Sequence, residues 1–377
     1  MSKKSIIIGG DIVPTKSNYS YFNRGDILSL IGIDLKQILT SCDFRIFNLE
    51  TPLCDIKSPI KKWGPNLITP TNTINGIKAL DPSLLVIGNN HIMDQDTQGY
   101  VSTIETLYNN RINYVGSGEN LIQAALPYIF ETNGMKIGIY ACAEHEFSIA
   151  TENKAGGNPF DPLESLDHIR TLKSICDYVI VLYHGGKEHY RYPSPYLQKV
   201  CRKMVDKGAN LIVCQQSHCI GSYEEHCGSV IVYGQGNFIF DYSENELEQT
   251  GLLIKASFDD EMKIEFIPIY KWQNCVRKAE GKLAEDILVE FYQRSDDILK
   301  DGFIEQEYQK YAQEVYPLYI RHFSGFGKWL SRIDRRLLNG MLVKRKYNKN
   351  QLLAIQNYIE CETHRELVIA GLKIEEK

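Results

Sequence analysis

The residues able to do chemistry in this chain sit in short polar clusters, each closing an apolar run. Gly9-Gly10-Asp11 follows Ile6-Ile7-Ile8, Asn48-Leu49-Glu50 follows Ile46-Phe47, and Gly88-Asn89-Asn90-His91 follows Leu84-Leu85-Val86-Ile87. Later come His184-Gly185-Gly186-Lys187-Glu188, Gln215-Gln216-Ser217-His218 and Gly234-Gln235-Gly236-Asn237-Phe238. Carboxylates, imidazoles and side-chain amides in this mixture match what one or two hard or borderline divalent cations need. The glycines let backbone come close to a ligand. Each cluster alone carries little: an Asp after a strand commonly caps a helix, a lone His is more often structural, and Asn90 and Asn237 suit turns. Their joint occurrence after successive apolar runs favours one shared site.

Side chains that follow strand carboxyl ends in an open α/β domain converge on one crevice, so strands must supply the positioning. Short β-branched runs predict strands over 5–10, 44–48, 84–88, 112–114, 136–141, 178–183, 210–213 and 229–234. Amphipathic stretches between them predict helices over 26–39, 71–80, 97–109, 165–175 and 195–207, with Asp96-Thr97 as an N-cap and Gly208 as a C-cap glycine. Two further runs, 252–258 and 262–269, read as a hairpin around Asp259-Asp260. After Trp272 prolines nearly vanish and Glu, Lys, Gln, Tyr and Leu recur at helical spacing. The expected organisation is an α/β domain over 1–272 and a helical C-terminal extension over 273–377.

A length of 377 residues with 43% hydrophobic and 24% charged residues excludes disordered, collagenous and coiled-coil classes. The formal charge of −5 gives no overall basic field, and no nucleic acid partner is expected. Ten cysteines occur without a C-x-x-C pair and are read as reduced and mostly buried, with a thiolate site at the irregularly spaced Cys214, Cys219 and Cys227 as the lesser alternative. The first apolar run is too short for a signal peptide, and no run of about 18 apolar residues is present. A cytoplasmic protein is expected. One local exception to the acidic balance lies in 327–349, where eight basic residues face the single acid Asp334, with Trp329, Leu330, Ile333, Leu337, Met341 and Leu342 interleaved. Such a segment either packs its apolar stripe on the protein or lies peripherally on an anionic membrane, here its inner face.

The order and local sequences of the clusters resemble the bacterial capsule-synthesis proteins (CapA-type, poly-γ-glutamate biosynthesis), a branch of the calcineurin-like metallophosphoesterases. The residues carrying the resemblance are Gly10-Asp11, Asn48-Leu49-Glu50, Asn89-Asn90-His91 with Asp94, Gly116-Ser117-Gly118, His184-Gly185-Gly186 with Glu188, Gln198, Gly208-Ala209, His218 and Gly236 to Asp241. It spans 6–241 and implies a four-layer αββα metallophosphoesterase-like sandwich, with the helical tail outside it. It further implies that Asp11 and His218 bind one cation, that Asn90 and His184 bind a second, and that Glu50 bridges them. His91 becomes a general acid or oxyanion stabiliser, and Glu188 a second catalytic candidate. Asn48, Lys187, Arg191 and Asn237 are the candidate substrate contacts; Glu144, His145 and Glu146 flank the same cleft. Three departures stand out: Val13 replaces a metal-site His, Glu50 replaces the bridging Asp, and Gln216, a candidate metal ligand through its weaker amide oxygen, stands where a ligand His is expected. One or two ions of Mn, Zn, Fe or Mg fit such a set. The implied activity is a metal-dependent hydrolase in capsule or cell-envelope polymer biosynthesis, acting on an anionic small-molecule, peptide or polymer precursor. Two alternatives are an epimerase-like peptide-modifying enzyme and a non-catalytic scaffold of polymer synthesis.

Overall fold

The computed structural model describes residues 4–132, 134–241, 243–259 and 261–375. Its strands are, in chain order, β1 (Lys4–Ile12), β2 (Phe44–Leu49), β3 (Leu84–Val86), β4 (Tyr114–Val115), β5 (Ser117–Gly118), β6 (Tyr128–Thr132), β7 (Met135–Ala143) and β8 (Gly156–Gly157). There follow β9 (Tyr178–His184), β10 (Leu211–Gln215), β11 (Tyr223–His226), β12 (Ser229–Val232), β13 (Thr250–Phe258), β14 (Met262–Trp272) and β15 (Cys275–Lys278).

Residues on a strand alternate between its two faces, and the burial of β1 shows both faces covered. Ile6 and Ile8 join Ile46, Leu84 and Val86 in one core with Ile139, Ile180, Leu182, Leu211 and Val213. Ile7 points the other way, with Phe47 and Leu85, into a core filled by Leu30, Leu35, Ile77 and Leu107. Two sheets therefore face each other. One has the order β15-β14-β13-β1-β2-β3-β4 and the other β11-β12-β10-β9-β7-β6. The helices Ile27–Ser41, Ile74–Ala79 and Asp96–Asn109 cover the first, and Ser165–Lys173 and Pro195–Asp206 cover the second, where Ile169, Leu172, Val200 and Met204 meet Val179, Val181 and Ile212. This is the expected four-layer αββα sandwich.

Within each sheet the central strands are parallel: β1, β2, β3 and β4 in one, and β7, β9, β10 and β12 in the other. Their carboxyl ends consequently lie along one edge of each sheet. Sequence periodicity misses β6 and β11, both antiparallel edge strands: β11 has no apolar run, and β6 has only the three residues Tyr128-Ile129-Phe130, with Ile129 on its exposed face. The stretch expected as one helix over 71–80 is a 3-10 turn, Thr71–Thr73, leading into Ile74–Ala79. The β13–β14 hairpin forms with Phe258 opposite Met262, while Asp260 of its turn lies outside the described residues. All ten cysteines are free and eight are buried, Cys227 being exposed.

The chain divides into two compact units, Met1–Ile304 and Glu305–Lys377. The change of composition after Trp272 falls inside the first: β15 completes its sheet, and Ile287 and Phe291 of helix Gly281–Asp297 pack with Ile220 and Leu252. The second unit is helical and includes Lys328–Leu337, Met341–Lys346, Lys349–Glu360 and Glu362–Glu375. No described helix is long and apolar enough to cross a membrane.

Candidate metal centre

Register places the first polar residues. Asp11 sits directly opposite Asn48 on β2, after a shift between Ile8 and Asp11 that bulges β1 at Gly9-Gly10. A Cβ on Gly10 would meet the carbonyl oxygen of Gly236 at 2.0 Å, so only glycine lets the Gly236–Ile239 segment cross here. That segment is tied down by the amides of Phe238 and Ile239, both donating to the Asp11 carbonyl at 3.0 Å. On the second sheet His184 lies opposite Ala143 and Gln215, at the ends of three adjacent strands.

These ends meet. Asn48 donates through Nδ2 to Asp11 Oδ1 at 2.7 Å and lies 3.3 Å from His184 Nδ1, linking the two sheets. Its own Oδ1 accepts from Asn89 Nδ2 at 3.1 Å. His184 Nε2 stands 3.3 Å from Glu50 Oε1 and 3.1 Å from Asn90 Oδ1. His218 Nδ1 stands 3.4 Å from Asp11 Oδ2 and 2.9 Å from Asn237 Oδ1. One ligand atom each of Asp11, Glu50 and His218 falls within 4.8 Å of the others. His218 and Gln216 both hold left-handed backbone, at φ 53° and 87°, a cost that a built turn must offset.

The electrostatics follow from two carboxylates buried together. Burial works against ionising Glu50, but the charge of His218 and the hydrogen bond and charge of His184 outweigh it and hold the carboxyl down at about 2. Burial likewise opposes protonation of His218, yet Glu50 and then Asp11 lift it to about 10. His184 moves up against its own burial for the same reason. The cleft thus draws in positive charge. Both oxygens of Glu50 are buried and face no donor except His184, whose Nε2 lies 3.3 Å from Oε1, and the buried Oε1 of Gln216 has no partner. Orphaned anionic oxygens cost several kcal/mol unless a cation faces them, on the order of 1–3 kcal/mol per group and more when charged. Two carboxylates carry the charge of one divalent ion, and with imidazole and amide neighbours they form an oxygen- and nitrogen-donor set that fits it. Asp11, Glu50, His184 and His218, with Asn90, are the residues that would hold it.

His91 occupies the rim of the same strand ends. Its Nδ1 lies 2.6 Å from Asp94 Oδ2, and that carboxylate also accepts from the Leu67 amide at 2.6 Å. With Nδ1–H donated to Asp94, Nε2 is left to exchange a proton. Lys62 completes the group: its Nζ pairs with Asp94 Oδ1 and lies 3.3 Å from His91 Nδ1, its side chain only 3% exposed. Sequence reasoning missed Lys62, because it lies in a loop with no periodicity and its partner is 32 residues on.

The flanking residues are placed differently. Lys187 and Glu188 are exposed, and no hydrogen bond or ion pair among the described residues joins either to the carboxylate–imidazole group. Arg191 donates to the Ile220 carbonyl at 3.1 Å. Glu144 accepts from the Gly186 amide at 3.0 Å and is raised by burial, against that hydrogen bond. Glu146 Oε2 accepts from Asn90 Nδ2 at 3.4 Å. Val13 is buried and apolar, so the departure there removes a donor outright.

The family model "Bacterial capsule synthesis protein PGA_cap" matches residues 5–242, the segment that carries every one of these groups. The chain belongs to that family. It is 28% identical over 224 residues to the capsule biosynthesis protein CapA of Bacillus anthracis, covering 57% of this chain and 54% of that protein. It is 27% identical over 224 residues to the PGA biosynthesis protein CapA of Bacillus subtilis (strain 168), covering 58% and 59% respectively. The match thus spans little more than half the length of either relative. Among solved structures, a phosphatase of Mycoplasma pneumoniae aligns over 72% of this chain and 95% of its own at 15% identity, with a TM-score of 0.47. The resemblance read from the motifs over 6–241 therefore coincides with the family match.

Proposed function

We propose that this protein is a metal-dependent hydrolase of phosphoester type acting in the biosynthesis of a capsule polymer. The observation that carries the reading is the pair of buried carboxylates Asp11 and Glu50, joined by His218 and His184, with no donor other than His184 facing the Glu50 oxygens. A divalent ion bound there would supply an activated water and neutralise charge on a tetrahedral or pentavalent centre. The chain's own residues do the rest. Asn48 ties Asp11 to His184 and keeps the two sheets' ligands at one depth. His91, held by Asp94 and Lys62, can protonate a leaving oxygen through Nε2. The substrate class is an anionic polymer precursor, in line with family membership and with the names of the two CapA relatives. Metal analysis of the purified protein combined with hydrolysis of phosphodiester substrates tests the reading. We expect stoichiometric divalent metal, lost together with hydrolysis in His184→Ala; protein without such metal and with unchanged activity in that variant would overturn it.

A further inference from the structure

We propose that the helix Lys328–Leu337 and the short helix Met341–Lys346 form a membrane-surface anchor that binds anionic lipid. This goes beyond the metal site and does not depend on it. In Lys328–Leu337, Trp329, Leu330, Ile333 and Leu337 fall at positions i, i+1, i+4 and i+8, one face of a helix. Lys328, Arg332 and Arg335 fall on the opposite side, and Arg336, seven residues after Trp329, borders the apolar stripe. A solvent-facing helix of a folded domain normally hides its apolar stripe, yet here the stripe is open: Trp329 is 79% and Leu337 77% exposed, and Leu330, Ile333 and Met341 are exposed as well. The polar face is exposed too, and Lys344, Arg345 and Lys346 extend the basic surface into the second helix.

The single acid of the segment is withdrawn from it. Asp334 is fully buried and spends Oδ1 on the Leu342 amide at 2.8 Å, locking the turn between the two helices. What remains outward is cationic and apolar together. A polyanion such as a nucleic acid or a charged polymer would use the bases and leave Trp329 and Leu337 wet; a bilayer interface of anionic lipid satisfies both faces, with the apolar side in the acyl boundary and the guanidinium groups among phosphates. Downstream helices lack this pairing: between Asn350 and Glu375, Glu360, Glu362, Glu366 and Glu375 outnumber Arg365 and Lys373.

The experiment uses the full chain with vesicles of phosphatidylcholine alone and of phosphatidylcholine with phosphatidylglycerol. We expect cosedimentation only with the anionic vesicles, weakening as salt rises, and a blue shift of tryptophan emission that disappears in Trp329→Phe. The combined change Arg332→Gln, Arg335→Gln and Arg336→Gln should weaken partitioning about a hundredfold, from roughly a factor of five per basic side chain near the surface. The combined change Leu330→Ser, Ile333→Ser and Leu337→Ser should abolish binding while leaving all the charges in place. Absence of binding, or equal binding to neutral vesicles, overturns the proposal. So does an apolar variant that binds as the parent does, which would mark a polyanion site. Concentration-dependent self-association without lipid, lost in the serine variant, would assign the face to a second copy and also overturn it.

Discussion

Proton release on metal binding gives the sharpest test of the centre. In protein stripped of metal, His218 titrates near 10 instead of 6.5, because Glu50 and Asp11 face it. A ligand imidazole must be neutral, so a cation entering at pH 7–9 displaces that proton. Well below the folded pKa, one displaced proton makes the apparent affinity climb tenfold per pH unit, about 1.4 kcal/mol for each step. His184, raised by the same carboxylates, steepens the climb wherever it still carries its proton. Calorimetric titration with Mn²⁺ in two buffers of different ionisation enthalpy should therefore count at least about one proton released per ion at neutral pH. Glu50→Gln removes the largest charge holding His218 up, so it should both weaken binding and flatten the slope.

Folding of the stripped protein carries the same signature with a defined sign. His218, raised on folding, contributes stability that is complete below 6.5 and is lost as pH rises toward about 10. Glu50, lowered on folding, contributes stability that is complete above 4.5 and is lost as pH falls toward about 2. Urea midpoints should be highest between those limits and decline on the alkaline side, with Mn²⁺ cancelling the alkaline decline. An affinity flat from pH 7 to 9, with no proton release in either buffer, would refute the account of these four side chains as one ligand set.

Other expectations concern neighbouring residues. His91→Ala should lower turnover by about 10²–10⁴-fold with metal content unchanged, measured by phosphodiester hydrolysis alongside metal analysis; loss of metal in this variant would make it a ligand instead. Lys62→Met should destabilise the fold by about 3–5 kcal/mol in urea, since it leaves the fully buried Asp94 without its cation. Gly10→Ala should cost about 1–3 kcal/mol or more, read as a lowered Tm, because its methyl cannot fit against the Gly236 carbonyl. Gln216→His should raise the metal content of purified protein, as an imidazole replaces a buried amide oxygen that has no partner; unchanged stoichiometry would place Gln216 outside the coordination sphere.

What the sequence shows about the site and what it hides have one physical origin. A β-branched run followed by Gly, Asn, Asp or His marks a strand and its carboxyl end, because period-two burial and turn chemistry are local properties. Parallel pairing then brings such ends to a common edge, which is why Asp11, Asn48, Glu50, Asn90 and His184 could be named before any fold was seen. Local signals cannot say how far a side chain reaches beyond that edge. Glu188 follows a strand just as His91 does, but the Gly185-Gly186 turn, with Gly186 at φ 114°, carries it to solvent. His91 instead stays against Asp94, three residues on, where a buried lysine from another loop closes the group. Contacts of this kind depend on which sheet faces which. Asp11 meets His218 and Glu50 meets His184 across the sandwich, through packing of Ile6, Ile8 and Ile46 against Ile180, Leu182 and Val213. The apolar interface between the sheets thus sets the spacing of the polar ligands at its edge, and a volume change there should alter metal affinity without touching a ligand.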